Sequence, residues 1–324
     1  MEKRPRVTVL GSLNMDISVT VPRLPEPGAT VLGSAARFTP GGKGANQAVA
    51  AARLGGAVSM VGCVGDDDFG RQLVTGLRDE GVDAGAVRTV PGVPTGLAMI
   101  SVDAAGENMI TVAPGANHEV GEEQVAAAGR ADGHVLVICA EIPVPAIRAA
   151  VAQSTRHVLN LAPAPPDAAA IVAGGVDWLV VNEGEAAAVL SRPVSGLAEA
   201  ARAAAALVQA GARHAVVTAG AHGAALATAA ATTTADAIPA TAAATVGGAD
   251  TIQAFTVEAV DTVGAGDAFV GALAVALAVG VPAVEAVRAA AAAGATAATR
   301  PGAQAGMPRP ADILAATGLP WPAG

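Results

Sequence analysis

Short β-branched runs alternate along this chain with longer Ala-rich segments. The runs at 7–10, 58–64, 135–139, 158–161, 178–181 and 215–218 read as buried strands. Residues 44–54 read as a helix stopped at Gly55, and 69–80 as a helix closed by Gly81, because Gly readily takes the left-handed backbone that ends a helix. Strands separated by helical stretches argue for βαβ units. The expected fold is α/β: a Rossmann-like, largely parallel sheet covered by helices on both faces.

Two regions break this alternation. Residues 12–40 alternate polar and apolar positions between several Pro and Gly, and 96–113 do the same around a turn at Ala104-Ala-Gly106. Period-two alternation suits strands with one exposed face. Together they are expected to form a small sheet standing off the main body, which takes 1–11, 41–95 and 114–324. Two ordinary edge hairpins are the simpler alternative. Residues 227–250 are low in complexity and rich in Ala and Thr; they read as a long surface hairpin or loop without chemistry.

Composition narrows the class. A chain of 324 residues fits one large α/β domain with a small appendage. Hydrophobic residues make up 52%, mostly Ala, against 2% aromatics, so the core is built from small side chains and closely spaced helices. The net charge of −9 argues against nucleic acid and anionic membranes as partners. Cys63 and Cys139 sit in apolar runs and read as reduced core thiols. The five His are scattered, so no zinc cluster is visible. Asn14 and Asp16 interrupt the first apolar run, which is therefore no signal-peptide core. The longest apolar stretch, near 268–281, is too short to span a bilayer comfortably. A cytoplasmic protein is expected.

The strongest chemical signal is Asp261-Thr-Val-Gly-Ala-Gly-Asp267, followed by an all-round apolar helix that ends at Gly280. The Gly264-Ala265-Gly266 turn opens that helix, so free amides and the positive dipole end converge there as an anion site. Asp267 in the first turn is placed to accept a proton from a hydroxyl attacking a bound phosphoryl group. By itself the motif reads equally as a Gly turn with an Asp serving the dipole. Rival phosphate motifs fail. Arg37 stands where a Walker A loop needs its first Gly and Gly44 where it needs Ser or Thr; Phe269 stands where the dinucleotide fingerprint needs a third small residue. A second signal, Gly41-Gly-Lys-Gly-Ala-Asn-Gln47, carries Lys43 and Asn46 into a helix, with Asn14 and Asp16 expected at the far end of the first strand. Carboxylate, amide and ammonium groups together suit a polyhydroxylated ligand. A turn for Asn14 and Asp16, and a solvated charge for Lys43, are the plainer readings.

These motifs, with Gly11-Ser-Leu-Asn-Met-Asp16, resemble in order and spacing the signatures of the ribokinase-like (phosphofructokinase-B-like) carbohydrate kinases over nearly the whole chain. The resemblance implies phosphorylation of D-ribose at its 5-hydroxyl by ATP. Alternatives are deoxyribose, another sugar or a nucleoside as substrate, or a non-catalytic sugar-binding or regulatory protein on the same fold. An intact Asp267 behind its glycine turn argues against the last, since binding needs no base. By resemblance Asp267 is the base, with Gly264, Ala265 and Gly266 as anion hole. Asn14, Asp16, Gly42, Lys43, Asn46 and Glu141 hold the sugar. Asn182 and Glu185 match a motif linked to Mg²⁺ and phosphate, although Asn182 also reads as a helix N-cap. Thr218, Gly220 and Gly223 line the nucleotide site. Asp261, Val263, Ala297, Arg300, Gly302 and Gly306 surround a monovalent cation, K⁺. The two stand-off regions form a lid that also makes a homodimer contact. The chain departs from the family pattern at Gly306, where Ser is frequent, at Ala291, where a polar residue often meets the nucleotide, and in the 227–250 insertion.

Overall fold

The computed structural model describes residues 4–129, 134–230, 244–246 and 248–322. The chain opens with β1 (Arg6–Leu10), β2 (Asn14–Thr20) and β3 (Arg37–Gly41), then α1 (Lys43–Arg53), β4 (Ala57–Gly65), α2 (Asp68–Asp79) and β5 (Asp83–Val90). A hairpin of β6 (Gly96–Val102) and β7 (Asn108–Ala113) precedes α3 (Glu122–Ala128), β8 (Val135–Cys139), α4 (Val144–Gln153), β9 (His157–Asn160) and α5 (Ala168–Ala173). Next come β10 (Val176–Asn182), α6 (Glu183–Leu190), α7 (Gly196–Gln209), β11 (Ala212–Thr218), β12 (Ala224–Thr228), β13 (Ala244–Val246) and β14 (Ala249–Ile252). The C-terminal part is helical: α8 (Ala265–Ala278), α9 (Ala283–Ala297), α10 (Ala303–Gly306) and α11 (Pro310–Thr317).

The main sheet runs β13-β14-β12-β11-β10-β9-β8-β1-β4-β5. From β11 to β5 every pairing is parallel, and β12, β14 and β13 add an antiparallel edge. Alternate side chains along a strand face opposite ways, so each central strand feeds two cores. Val135 and Val137 of β8 join a core closed by α1, α2, α8 and α9; Leu136 and Ile138 join the other, closed by α3 to α7. That is why β8 is apolar throughout and buried along its whole length. The helices approach closely where a side chain is absent. A Cβ on Gly271 of α8 would lie 2.7 Å from the carbonyl oxygen of Gln47 on α1. This contact brings the first turns of the two helices together, and both carry the polar groups of the site.

The second sheet has the order β3-β2-β6-β7. Its centre is a parallel pairing of β2 with β6, Asn14 opposite Gly96, so the two regions that break the helical alternation meet in one sheet. Asn14 and Asp16 belong to β2 of this sheet and not to the end of β1. Residues 21–36 contribute no strand; Pro22, Pro25 and Pro27 remove ladder donors there. The pattern also gave no sign of β5. Its sequence, Asp-Ala-Gly-Ala-Val-Arg-Thr-Val, occupies the parallel edge, where one side is open and no continuous apolar run is needed. The Ala/Thr-rich stretch lies mostly outside the described residues; its described ends pair as antiparallel strands.

Candidate active site

The strand order reverses beside β1: the chain steps from β1 to β4 and β5 on one side, then to β8 and onward on the other. In open parallel sheets a ligand crevice lies beyond the carboxyl ends of the strands at such a point. Ser12 follows β1 there, Glu141 follows β8, and Asn160, Asn182 and Thr218 end β9, β10 and β11.

Asp267 sits in the first turn of α8 and is only 7% exposed. Its Oδ2 accepts from Asn46 Nδ2 at 2.9 Å and its Oδ1 from Gln47 Nε2 at 3.0 Å. Burial pushes its pKa up, opposed by the Lys43 ammonium and the two amide donors. Gly264 precedes the helix at φ 80°, a left-handed backbone that Gly adopts without strain. The Ala265 amide donates to the Thr262 carbonyl at 3.2 Å. The amides of Gly266 and Asp267 belong to the first turn, where a helix offers no acceptor of its own. A Cβ on Gly266 would meet nothing within 4 Å, so this turn faces open space.

The Gly41–Gly44 loop packs against residues 11–16 through its missing side chains. A Cβ on Gly42, at φ 86°, would lie 2.6 Å from the Asn14 amide nitrogen, and one on Gly44 2.6 Å from that of Ser12. A Cβ on Gly41 would overlap the Asp16 carboxylate. Glu141 Oε2 accepts from the Ser12 hydroxyl at 2.6 Å and from the Lys43 amide at 3.3 Å. Asn117 holds Asn14: its Nδ2 donates to Asn14 Oδ1 at 2.7 Å and to the Leu13 carbonyl at 3.1 Å, while its Oδ1 accepts from the Leu13 amide. Asn46 Oδ1 is buried without a partner among the described residues.

Four charged groups face one another here. Burial first, then the charges of Glu141 and Asp267, push the Asp16 carboxyl up to about 7, with Lys43 opposing. Burial pulls the Lys43 ammonium down, but Asp267 and Glu141 outweigh it and leave its pKa raised. Lys43 is therefore a partly buried counter-charge and not a fully solvated one. Burial also raises Glu185, against the amide of Asn182 and the charge of Lys43.

Asn182 caps α6 reciprocally: its Oδ1 accepts from the Glu185 amide at 2.9 Å, and Glu185 Oε2 from its own at 2.8 Å. Thr218 ends β11, and Gly220 and Gly223 follow with φ 51° and 107°. Asp261 ties two loops together, accepting from Val263 N at 3.0 Å and Gly302 N at 2.8 Å. A Cβ on Gly306 would lie 3.3 Å from the carbonyl oxygens of both Ala297 and Arg300, so these oxygens converge. Sequence reasoning assigns no role to Ser12, Gln47, Asn117 or Asn160, which tie the site together; Ser12 and Gln47, each inside a quoted motif, are the two with a visible signal.

A profile of the pfkB family carbohydrate kinases matches residues 4–310. A Schizosaccharomyces pombe protein named ribokinase is 35% identical over 314 residues, covering 93% of this chain and 94% of its own. The crystal structure of Thermotoga maritima ribokinase superposes with a TM-score of 0.81 at 31% identity, covering 95% of this chain and 98% of its own. The structure of Arabidopsis thaliana ribokinase complexed with ribose and ATP gives 0.79 at 29% identity, covering 97% and 98%. With its doubly covered parallel sheet, its small second sheet and this match along nearly its full length, the chain belongs to the pfkB family of carbohydrate kinases.

Proposed function

We propose that this protein transfers the γ-phosphoryl group of ATP to the 5-hydroxyl of D-ribose, with Asp267 as the base. The observation that carries the reading is the buried Asp267 carboxylate at the open, amide-bearing end of α8, beside Lys43, Asp16 and Glu141. Asp16 accepts from two sugar hydroxyls, and Asn14, Lys43 and Glu141 complete the polar wall. Asn46 gives its Nδ2 to the base and keeps a buried, unmatched Oδ1 for a sugar hydroxyl. Asp267 takes the 5-hydroxyl proton as the oxygen attacks phosphorus. The free amides where the Gly264–Gly266 turn opens α8, those of Gly266 and Asp267, receive the phosphoryl charge as it moves.

The nucleotide lies along Thr218, Gly220 and Gly223. Mg²⁺ bound with ATP would neutralise phosphate charge. Glu185 and Asn182, an oxygen-donor pair beside Lys43 and Asp267, fit its environment, with water and phosphate completing the shell. The converging carbonyls of Ala297 and Arg300, with Asp261, Val263 and Gly302 next to them, fit a monovalent cation such as K⁺. Gly306 adds no side-chain oxygen. Phe38, Met99, Met109, Ile110 and Val112 expose apolar side chains on the second sheet, which supports its use as a lid and a homodimer contact. No described helix is long and apolar enough to cross a membrane. The test is ATP consumption over ribose, deoxyribose, fructose and nucleosides. Ribose should give the highest kcat/KM; a nucleoside or deoxyribose ahead of it would reassign the substrate, and no turnover on any would favour a binding protein.

A further inference from the structure

Gln47, wholly buried on α1, ends between two acceptors. Its Nε2 donates to Asp267 Oδ1 at 3.0 Å and to Asn160 Oδ1 at 2.9 Å, which uses both protons of that nitrogen. Its Oε1 has no partner among the described residues. Asn160 explains this polarity. Its own Nδ2 reaches the Val180 carbonyl at 3.4 Å, which turns its Oδ1 toward Gln47. A Gln47 amide rotated by half a turn would set an oxygen against two oxygens. Anchored by the Val180 carbonyl of β10, Asn160 presents an acceptor to Gln47, and Gln47 therefore directs the second proton of its Nε2 to the Asp267 carboxylate from behind.

We propose that Gln47, oriented by Asn160, is a positioning residue that holds the Asp267 carboxylate in one plane and in its charged form. The proposal rests on the reading of Asp267 as the base. Asn46 grips Oδ2 and Gln47 grips Oδ1, so the carboxylate cannot rotate without breaking a charge-assisted bond. Asn46 faces the sugar as well, whereas among the described residues the side-chain hydrogen bonds of Gln47 go to Asp267 and Asn160 alone. Lys43 on α1 is the cation facing Asp267. Asp16 on β2, Glu141 after β8 and Glu185 on α6 are like charges, and the apolar surroundings of α8 withhold water. Without Gln47 the balance moves toward the protonated, inactive acid.

The test compares Gln47→Met, Asn160→Ala, their combination and Asp267→Asn in the full-length enzyme. For Gln47→Met, kcat near neutral pH should fall about tenfold, KM for ribose and ATP should stay within about twofold, and the acid limb of the kcat profile should move up by about one pH unit. The sign follows because a lost donor raises the pKa of the base. Asn160→Ala, which frees Gln47 to turn its oxygen onto Asp267, should move the same limb the same way. The double variant should lose no more than Gln47→Met alone, since Asn160 acts through Gln47. A side chain that only fills space would lower Tm and leave the limb in place. An inactive Asp267→Asn with an unmoved limb in the other variants overturns the positioning role alone; an active Asp267→Asn overturns the base. Should Gln47→Met not fold, Asn160→Ala decides by itself, and an unmoved limb there overturns the proposal.

Discussion

Asn46 and Asp267 stand 221 positions apart in the chain and meet at 2.9 Å, amide nitrogen to carboxylate oxygen. The pair joins the first turns of two helices, one following the Gly-rich loop and the other the glycine turn. The consequence for Asp267→Asn is direct. The variant keeps the shape and one amide partner but cannot accept a proton. General-base catalysis is worth about 10²–10⁴-fold, and kcat should fall by that order while KM for ATP and the thermal midpoint change little. An Asp that merely served the helix dipole would cost about 0.3–1 kcal/mol of stability and leave turnover intact. Measuring both quantities separates the two.

Asp16 titrates at its ordinary 3.8 in the unfolded chain and at about 7 in the folded protein. Between these values the folded state holds a proton that the unfolded state has lost. Stability of the sugar-free protein should therefore decline as pH rises through that window, and Asp16→Asn should abolish this part of the decline. If ribose takes Asp16 as its charged acceptor, its binding should release protons and weaken as pH drops below about 7. Calorimetry in buffers of different ionisation enthalpy reads the proton release. An affinity flat from about pH 5.5 to about pH 8 would remove Asp16 from the sugar site.

Gly96 faces Asn14 across the pairing of β6 with β2. A Cβ there would overlap both Asn14 Oδ1 and Asn117 Nδ2, separating the hydrogen bond that orients Asn14. Gly96→Ala should raise the KM for ribose about tenfold or more, as expected for a lost buried hydrogen bond, and leave the KM for ATP near its normal value. Equal changes in both constants would point to general loosening instead.

Much of this was legible in the sequence because polar residues are conspicuous in so apolar a chain. Asp16, Lys43, Asn46 and Asp267 lie in compact motifs, and the strand–helix alternation set the main sheet. Asn117 and Asn160 gave no such signal. Each is a single polar residue whose partner lies far along the chain, 103 positions for Asn117 and Asn14, 113 for Asn160 and Gln47. Only tertiary packing joins them. Gly41, Gly42 and Gly44 gave no sign in the sequence of their structural role, which is close approach to residues 11–16.

Potassium should raise activity, and sodium or lithium should do so poorly. Ala297 and Arg300 present carbonyl oxygens to one point, and Asp261 links the adjoining loop to Gly302. An ion there would stiffen the turn that opens α8 without touching sugar. Equal rates in K⁺ and in a large organic cation at matched ionic strength would exclude the effect.

Ile110 and Val112 stand on the same face of the small sheet as Asp16, and both are about half exposed, 53% and 47%. If a second copy covers that face, Ile110→Asp should shift sedimentation from dimer to monomer and raise the KM for ribose. A wild-type protein that sediments as a monomer at assay concentration would dismiss the contact.

The small sheet leaves the large one with only Gly11-Ser12-Leu13 between β1 and Asn14. Three residues give little slack. Any hinge motion of the sheet must carry Asn14 and Asp16 with it, while Lys43, Asn46 and Asp267 stay with the helices. If the sheet closes over bound sugar, gripping the sugar and shutting out water become one mechanical event, with the sugar itself as the latch. A graft of this sheet from a relative would transplant Asn14 and Asp16 along with the cover, so sugar preference and closure would travel together in any chimaera.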